Sequence, residues 1–172
     1  VENTTVIDRL YEAFPEAIPT AGEFRGDVIV AVRREEIVNV ARFLRDDPEL
    51  RYRFLENLCG VDYLGREPRF EVVYHLLSLD HGHRVCLKVG VPEEDPTLPS
   101  LTSLWPTANY QEREAYDLFG IIFSGHPALK RILLPDDWEG HPLRKDVPQG
   151  KEEVSFTFNQ EDILAHKVFA KE

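Results

Sequence analysis

Glu112, Arg113, Glu114 and Asp117 crowd into the short stretch Asn109–Gly120, with Tyr110, Tyr116 and Phe119 among them. Carboxylates at this density are the raw material of general acid–base chemistry. On a helix, Glu114 and Asp117 share a face, and Arg113 and Asp117 stand four apart, the spacing of an ion pair. Asn109 followed by Glu112 three residues on fits a capping box, and Gly120 suits the C-terminal end of the helix. Each charge therefore has a structural use. No histidine or nucleophile stands at a diagnostic spacing, so a free-standing carboxylate-based enzyme is the remote alternative to a structural and interfacial role.

Histidines come next. His126 and His141 each sit in a Gly-His-Pro triplet, Gly125-His126-Pro127 and Gly140-His141-Pro142. Zinc sites announce themselves by closer ligand pairs, so a ring nitrogen bonding to turn backbone is the expected role. Cys59 and Cys86 form no Cys-x-x-Cys motif and are expected to be two buried thiols, too few for an iron–sulfur cluster. Gly-x-Ser-x-Gly and the glycine-rich phosphate loops are absent. The expectation is a chain with no catalytic, cofactor-binding or metal-binding residues of its own.

What must position these residues is legible in the periodicity. Thr5–Phe14 reads as an amphipathic helix stopped by Pro15, Asp27–Val32 as a strand, and Arg34–Arg45 as a helix with Ile37, Val40, Ala41 and Leu44 on one stripe. Arg69–Leu77 and Arg84–Val91 read as strands joined by a turn at Asp80–His83, hence antiparallel, and Phe54–Tyr63 as another strand. A short helix is expected at Ser100–Trp105, then the charged helix from Asn109. Beyond Gly120, prolines and glycines recur at short intervals. The fold class is α+β: a small mixed or antiparallel sheet with helices packed on it, followed by an irregular Pro/Gly-rich C-terminal extension. The organisation is a core over 1–106, a charged helix and docking segment of the same domain over 107–150, and a tail over 151–172.

The 172 residues are 42% hydrophobic and 30% charged, with 20 Lys and Arg against 31 Asp and Glu for a net charge of −11. That sign repels phosphate backbones, so no nucleic acid is expected as a partner. The longest apolar run, Leu118–Phe123, falls far short of the roughly 20 residues of a membrane span, and Val1–Thr4 carries no signal-peptide pattern. Within the acidic chain the segment 107–150 is nearly balanced in charge and carries Tyr110, Tyr116, Phe119, Phe123 and Trp138, a composition that matches docking surfaces. Phe119 and Phe123 serve this chain's own core equally well on that reading, whereas Trp138, beside Asp136-Asp137, leans to contact.

Glu112-Arg113-Glu114-Ala115-Tyr116-Asp117-Leu118-Phe119-Gly120, then Gly125-His126-Pro127 and Lys130-Arg131-Ile132-Leu133-Leu134, resemble the 30-kilodalton subunit family of proton-pumping NADH:quinone oxidoreductase, respiratory complex I. The resemblance runs on through Pro135-Asp136-Asp137-Trp138-Glu139-Gly140-His141-Pro142-Leu143-Arg144-Lys145-Asp146 and back to about Phe54. It implies a cofactor-free peripheral-arm subunit on the cytoplasmic side of the cell membrane. Its implied partners are the large quinone-pocket subunit, which helps form the site where quinone binds, and the neighbouring iron–sulfur subunits. NADH, FMN, iron–sulfur clusters and quinone would belong to other subunits, and electron transfer from NADH to quinone would be coupled to proton translocation. The equivalent subunit of a membrane-bound hydrogenase or photosynthetic NDH complex is the alternative. Glu112, Arg113, Glu114, Tyr116, Asp117, Phe119, Gly120, His126, Pro127, Lys130, Arg131, Trp138, His141, Pro142, Arg144, Lys145 and Asp146 would be interfacial and structural residues.

Overall fold

The computed structural model describes residues 2–147; the expected tail over 151–172 lies outside them. Helix α1 spans Asn3–Ala13 and buries Val6 and Leu10, four apart on its inner face. Strands β1 (Thr20–Phe24) and β2 (Asp27–Ala31) form a hairpin. A 3₁₀ turn at Arg34–Glu36 then leads into α2, Ile37–Asp46, whose buried stripe is the expected Ile37, Val40, Ala41 and Leu44. The meander β3 (Phe54–Asp62), β4 (Phe70–Ser78) and β5 (His83–Val91) follows, antiparallel throughout.

The sheet order is β1-β2-β5-β4-β3, and the β2–β5 pairing is parallel, so the sheet is mixed. Val30, Leu87, Tyr74 and Leu58 sit side by side across four strands and are all buried. Helices α1 and α2, with Ala108 and Ala115 from the last helix, close over that row in one core. The opposite face is more open, with Asn57, Cys59 and Arg84 exposed. Cys59 thus departs from the expected buried thiol: its pleat points it away from the core, while Cys86 is buried.

Three further elements frame the charged segment: β6 (Thr97–Pro99), α3 (Ala108–Phe119) and β7 (Ile122–Ser124), with β6 and β7 paired in parallel. None of β1, β6 and β7 was expected. The helix expected at Ser100–Trp105 is a run of turns between Pro99 and Pro106, closed by Leu104 and Trp105 N–H bonds to the Leu101 carbonyl. No helix among the described residues is long and apolar enough to cross a membrane.

Candidate docking site

Helix α3 begins without a side-chain cap: Thr107 occupies the N-cap position, and the expected Asn109/Glu112 capping box is not formed. Glu112 instead faces inward, fully buried, and accepts hydrogen bonds from Ser100 Oγ at 2.6 Å and Leu101 N at 2.7 Å. Tertiary contact overrides the local cap because the carboxylate lies on the same face as Ala108 and Ala115. Burial pushes its pKa up to about 7, against the opposing pull of those two bonds.

The other end of α3 is where the charged residues gather. After β7 the chain turns back along the helix as a strap over residues 125–147. Asp117, wholly buried, is the centre of it. Its Oδ2 accepts the N–H groups of Ile132, Leu133 and Leu134 at 2.9, 2.8 and 3.0 Å, and its Oδ1 accepts Arg131 Nη1 at 2.7 Å. Burial alone would raise this carboxyl, but three backbone donors and one guanidinium outweigh it and hold the pKa at about 2. The expected Arg113–Asp117 pair is therefore replaced. Arg113 reaches the carbonyls of Lys130 and Arg131 at 3.1 and 2.9 Å, and Arg131 spans on to the carbonyls of Trp138 and Gly140.

A helix leaves its last carbonyls without partners, and the strap supplies them. His141 Nδ1 meets the Asp117 carbonyl at 2.9 Å, the Leu143 N–H bonds the Leu118 carbonyl at 3.2 Å, and Arg144 Nε donates to Phe119 O at 2.7 Å. Gly120 ends the helix at φ 76°, as expected, and a Cβ there would sit 2.6 Å from both Arg144 and His141. His126 bridges two backbone groups, the Asn109 carbonyl and the Ala128 N–H. Both histidines thus bond to backbone, as the Gly-His-Pro triplets implied. Tyr116 meets the His141 ring edge-on. Phe119 lies half-buried over Gly60, whereas Phe123 is buried.

A second hub, for which no sequence pattern offers a signal, fastens the far end of the strap. Arg69 is 3% exposed and binds both oxygens of Asp62 (3.0 and 2.9 Å), both of Asp146 (3.2 and 2.8 Å) and Glu93 at 2.6 Å. The Lys145 N–H also donates to Asp62 at 2.8 Å. Arg69 and Arg144 both lie over the Phe70 ring, at 4.9 and 5.1 Å from its centroid. Asp62 and Asp146 are held below the usual carboxylate range by Arg69.

Of the residues singled out from sequence, Glu114, Pro127 and the Lys130 side chain stand exposed outside this network, Pro142 is half-buried in a turn, and Trp138 is half-buried. Arg113 of α3 and Arg131, His141 and Arg144 of the strap are turned inward onto backbone. Four of the strap's apolar side chains are turned out: Ile132, Leu133, Leu143 and Val147 are 37%, 62%, 53% and 40% exposed, while Leu129 packs against the core. The four exposed side chains form the strap's apolar outer positions, held by the inward hydrogen bonds of their neighbours.

A family model described as "Respiratory-chain NADH dehydrogenase, 30 Kd subunit" matches residues 30–153. A protein from Roseiflexus castenholzii (strain DSM 13941 / HLO8), named as a subunit of NADH-quinone oxidoreductase, is 71% identical over all 172 residues, covering 99% of that relative. Among solved structures, the trypsin-resistant fragment (1-134) of Nqo5 is 40% identical with a TM-score of 0.61, covering 72% of this chain and 99% of that one. A chain of the membrane-bound sulfane sulfur reductase, an archaeal respiratory membrane complex, shares the fold at 21% identity and a TM-score of 0.71, covering 98% and 95%.

Proposed function

We propose, from the premise that this chain belongs to the 30 kDa subunit family of respiratory-chain NADH dehydrogenase, that it is a cofactor-free docking subunit of the peripheral arm of NADH:quinone oxidoreductase. Its place is the cytoplasmic side of the cell membrane. Its outward strap packs against the quinone-pocket subunit, with the neighbouring iron–sulfur subunits alongside. In that position it supports, without performing, electron transfer from NADH to quinone coupled to proton translocation.

The observation that carries this reading is the inverted strap. Asp117, Arg131, Arg113 and His141 are engaged with backbone of this same chain, leaving Ile132, Leu133, Leu143 and Val147 to face outward. The donor set does not suit an iron–sulfur cluster. Cys59 stands opposite Val73 and Cys86 opposite His75, on strands either side of β4 and offset along it. The clusters are therefore assigned to other subunits of the complex, and the reading assigns NADH, FMN and quinone there as well.

The test is purification of the tagged chain from its native membranes, with mass spectrometry of what accompanies it. The quinone-pocket subunit and the iron–sulfur subunits should co-purify with NADH:quinone activity. The double substitution Leu133→Asp and Leu143→Asp should lower their recovery by about tenfold or more, since central apolar anchors dominate binding energy. Unchanged recovery would overturn the docking role of the strap.

A further inference from the structure

The sheet has two edges, β1 and β3. An edge strand exposes the N–H and C=O of every second residue, a template for another strand, and folded proteins blunt such edges. β1 is blunted. It is five residues long, carries Glu23, and its Ala21 N–H donates to Tyr11 Oη at 2.9 Å, so α1 caps the outer side. β3 is nine residues long and is blunted only at its two ends, at the start by a bulge between Leu55 and Asn57 and by Glu56, which pairs with Arg84, and at the finish by Asp62, which accepts the Lys145 N–H of the strap.

Past the bulge, Asn57-Leu58-Cys59-Gly60-Val61 pairs without interruption with His75 to Glu71 of β4. This stretch has no charge and no proline. Among the described residues, nothing hydrogen-bonds its backbone except the β4 ladder. Helix α3 lies on the buried side, with Phe119 against Gly60, and leaves Asn57 and Cys59 exposed. Among the described residues, no charge, proline, bulge or covering segment blunts the edge over Asn57–Val61.

We propose that the outer edge of β3 over Asn57–Val61 is a strand-addition site, which takes an extended segment of a neighbouring subunit as a further strand of the sheet. A row of alternating donors and acceptors along five extended residues is matched by another extended backbone and by little else. The rim supplies the charge preference. The Cys59 thiol, exposed at the edge but partly desolvated against the sheet face, is pushed up first by that desolvation and then by the nearby Glu114 and Glu71 carboxylates. Glu114 is exposed and Lys88 is drawn to Glu71 at 3.6 Å, which leaves the rim acidic. A second copy of this chain, itself at −11, would bring the same acids together. The segment that fits comes from a different subunit and carries Lys or Arg beside the edge.

This inference rests on the subunit reading, and hydrogen exchange separates the two. Amide exchange is followed for the isolated full chain and for the purified complex. In the isolated chain, alternate amides of Asn57–Val61 should exchange quickly, and in the complex they should slow by about a hundredfold or more. If they stay fast in the complex while residues 130–147 become protected, the strand-addition site is overturned and the docking strap stands. If neither region is protected, the docking role of the strap fails too, and failure of the chain to co-purify with the complex would sink the subunit reading itself. If the edge is already slow in the isolated chain, a segment of this chain or a second copy covers it, and the proposal is equally overturned; dependence on protein concentration tells those two apart.

Discussion

Asp117 and Glu112 are neighbours on one helix, both buried, yet they are tuned in opposite directions. Asp117 gains three backbone donors and an arginine, so its folded pKa of about 2 lies below its ordinary 3.8. Its stabilisation is complete above pH 3.8 and is lost as pH falls toward 2, a contribution of about 2 kcal/mol. Asp117→Asn should remove much of it at neutral pH, and a midpoint of thermal unfolding equal to wild type would refute the hub. Glu112 is the reverse case: raised from 4.5 to about 7, the folded chain holds its proton more tightly than the unfolded chain does. Stability therefore falls as pH rises from about 4.5 to about 7, by roughly 3 kcal/mol from this group alone. Glu112→Gln keeps an acceptor for Leu101 N and should flatten that part of the stability profile; an unchanged slope would show that the carboxyl does not titrate there. The sequence displayed both acids but not their assignments. A capping box and an i, i+4 pair are local patterns, and each lost to a partner brought in by the fold, Ser100–Leu101 for Glu112 and the strap for Asp117.

Elements with a strong period were legible and those without were not. α1, α2, β2 and the β3–β5 meander bury one face against the core, so their apolar spacing shows in the sequence. β1 has no buried residue and β7 has three residues with only Phe123 inside, so neither has a period to read. The turns at 101–105 resemble a helix in composition, but they run between two prolines and are pinned by Glu112. Gly120 was readable because the left-handed end of a helix selects glycine on physical grounds. Gly120→Ala should cost at least about 1 kcal/mol in α3, since φ is 76° and the new methyl would meet Arg144 and His141. Near-wild-type denaturant unfolding would mean the strap yields easily. Arg113→Ala, which frees the carbonyls of Lys130 and Arg131, should loosen the strap without unfolding the core and lower recovery of the assembled complex.

At the level of the whole molecule, the α+β class was readable, whereas the way the sheet and the strap are joined was not. Arg69 stands at the start of a strand and reads in sequence as a flanking charge. It ties Asp62 of β3, Glu93 after β5 and Asp146 of the strap into one cluster. Arg69→Met should cost about 3–5 kcal/mol, mostly by stranding the buried Asp62 carboxylate. Calorimetry showing a loss below 1 kcal/mol, a value roughly that of a surface pair, would reduce the hub to an ornament of the surface.

The parallel seam between β2 and β5 bears on how the chain reaches this structure. The β1–β2 hairpin and the β3–β4–β5 meander can each form from neighbouring residues, but Val28 finds Val85 and Val30 finds Leu87 only across all of α2, β3 and β4. Closing so long a loop precedes the contacts that reward it, so the seam is the step for which folding waits. Val30→Ala should then slow refolding, while Leu55→Ala at the far edge should chiefly speed unfolding. The molecule would assemble as two halves, each quick by itself, that meet along a single line.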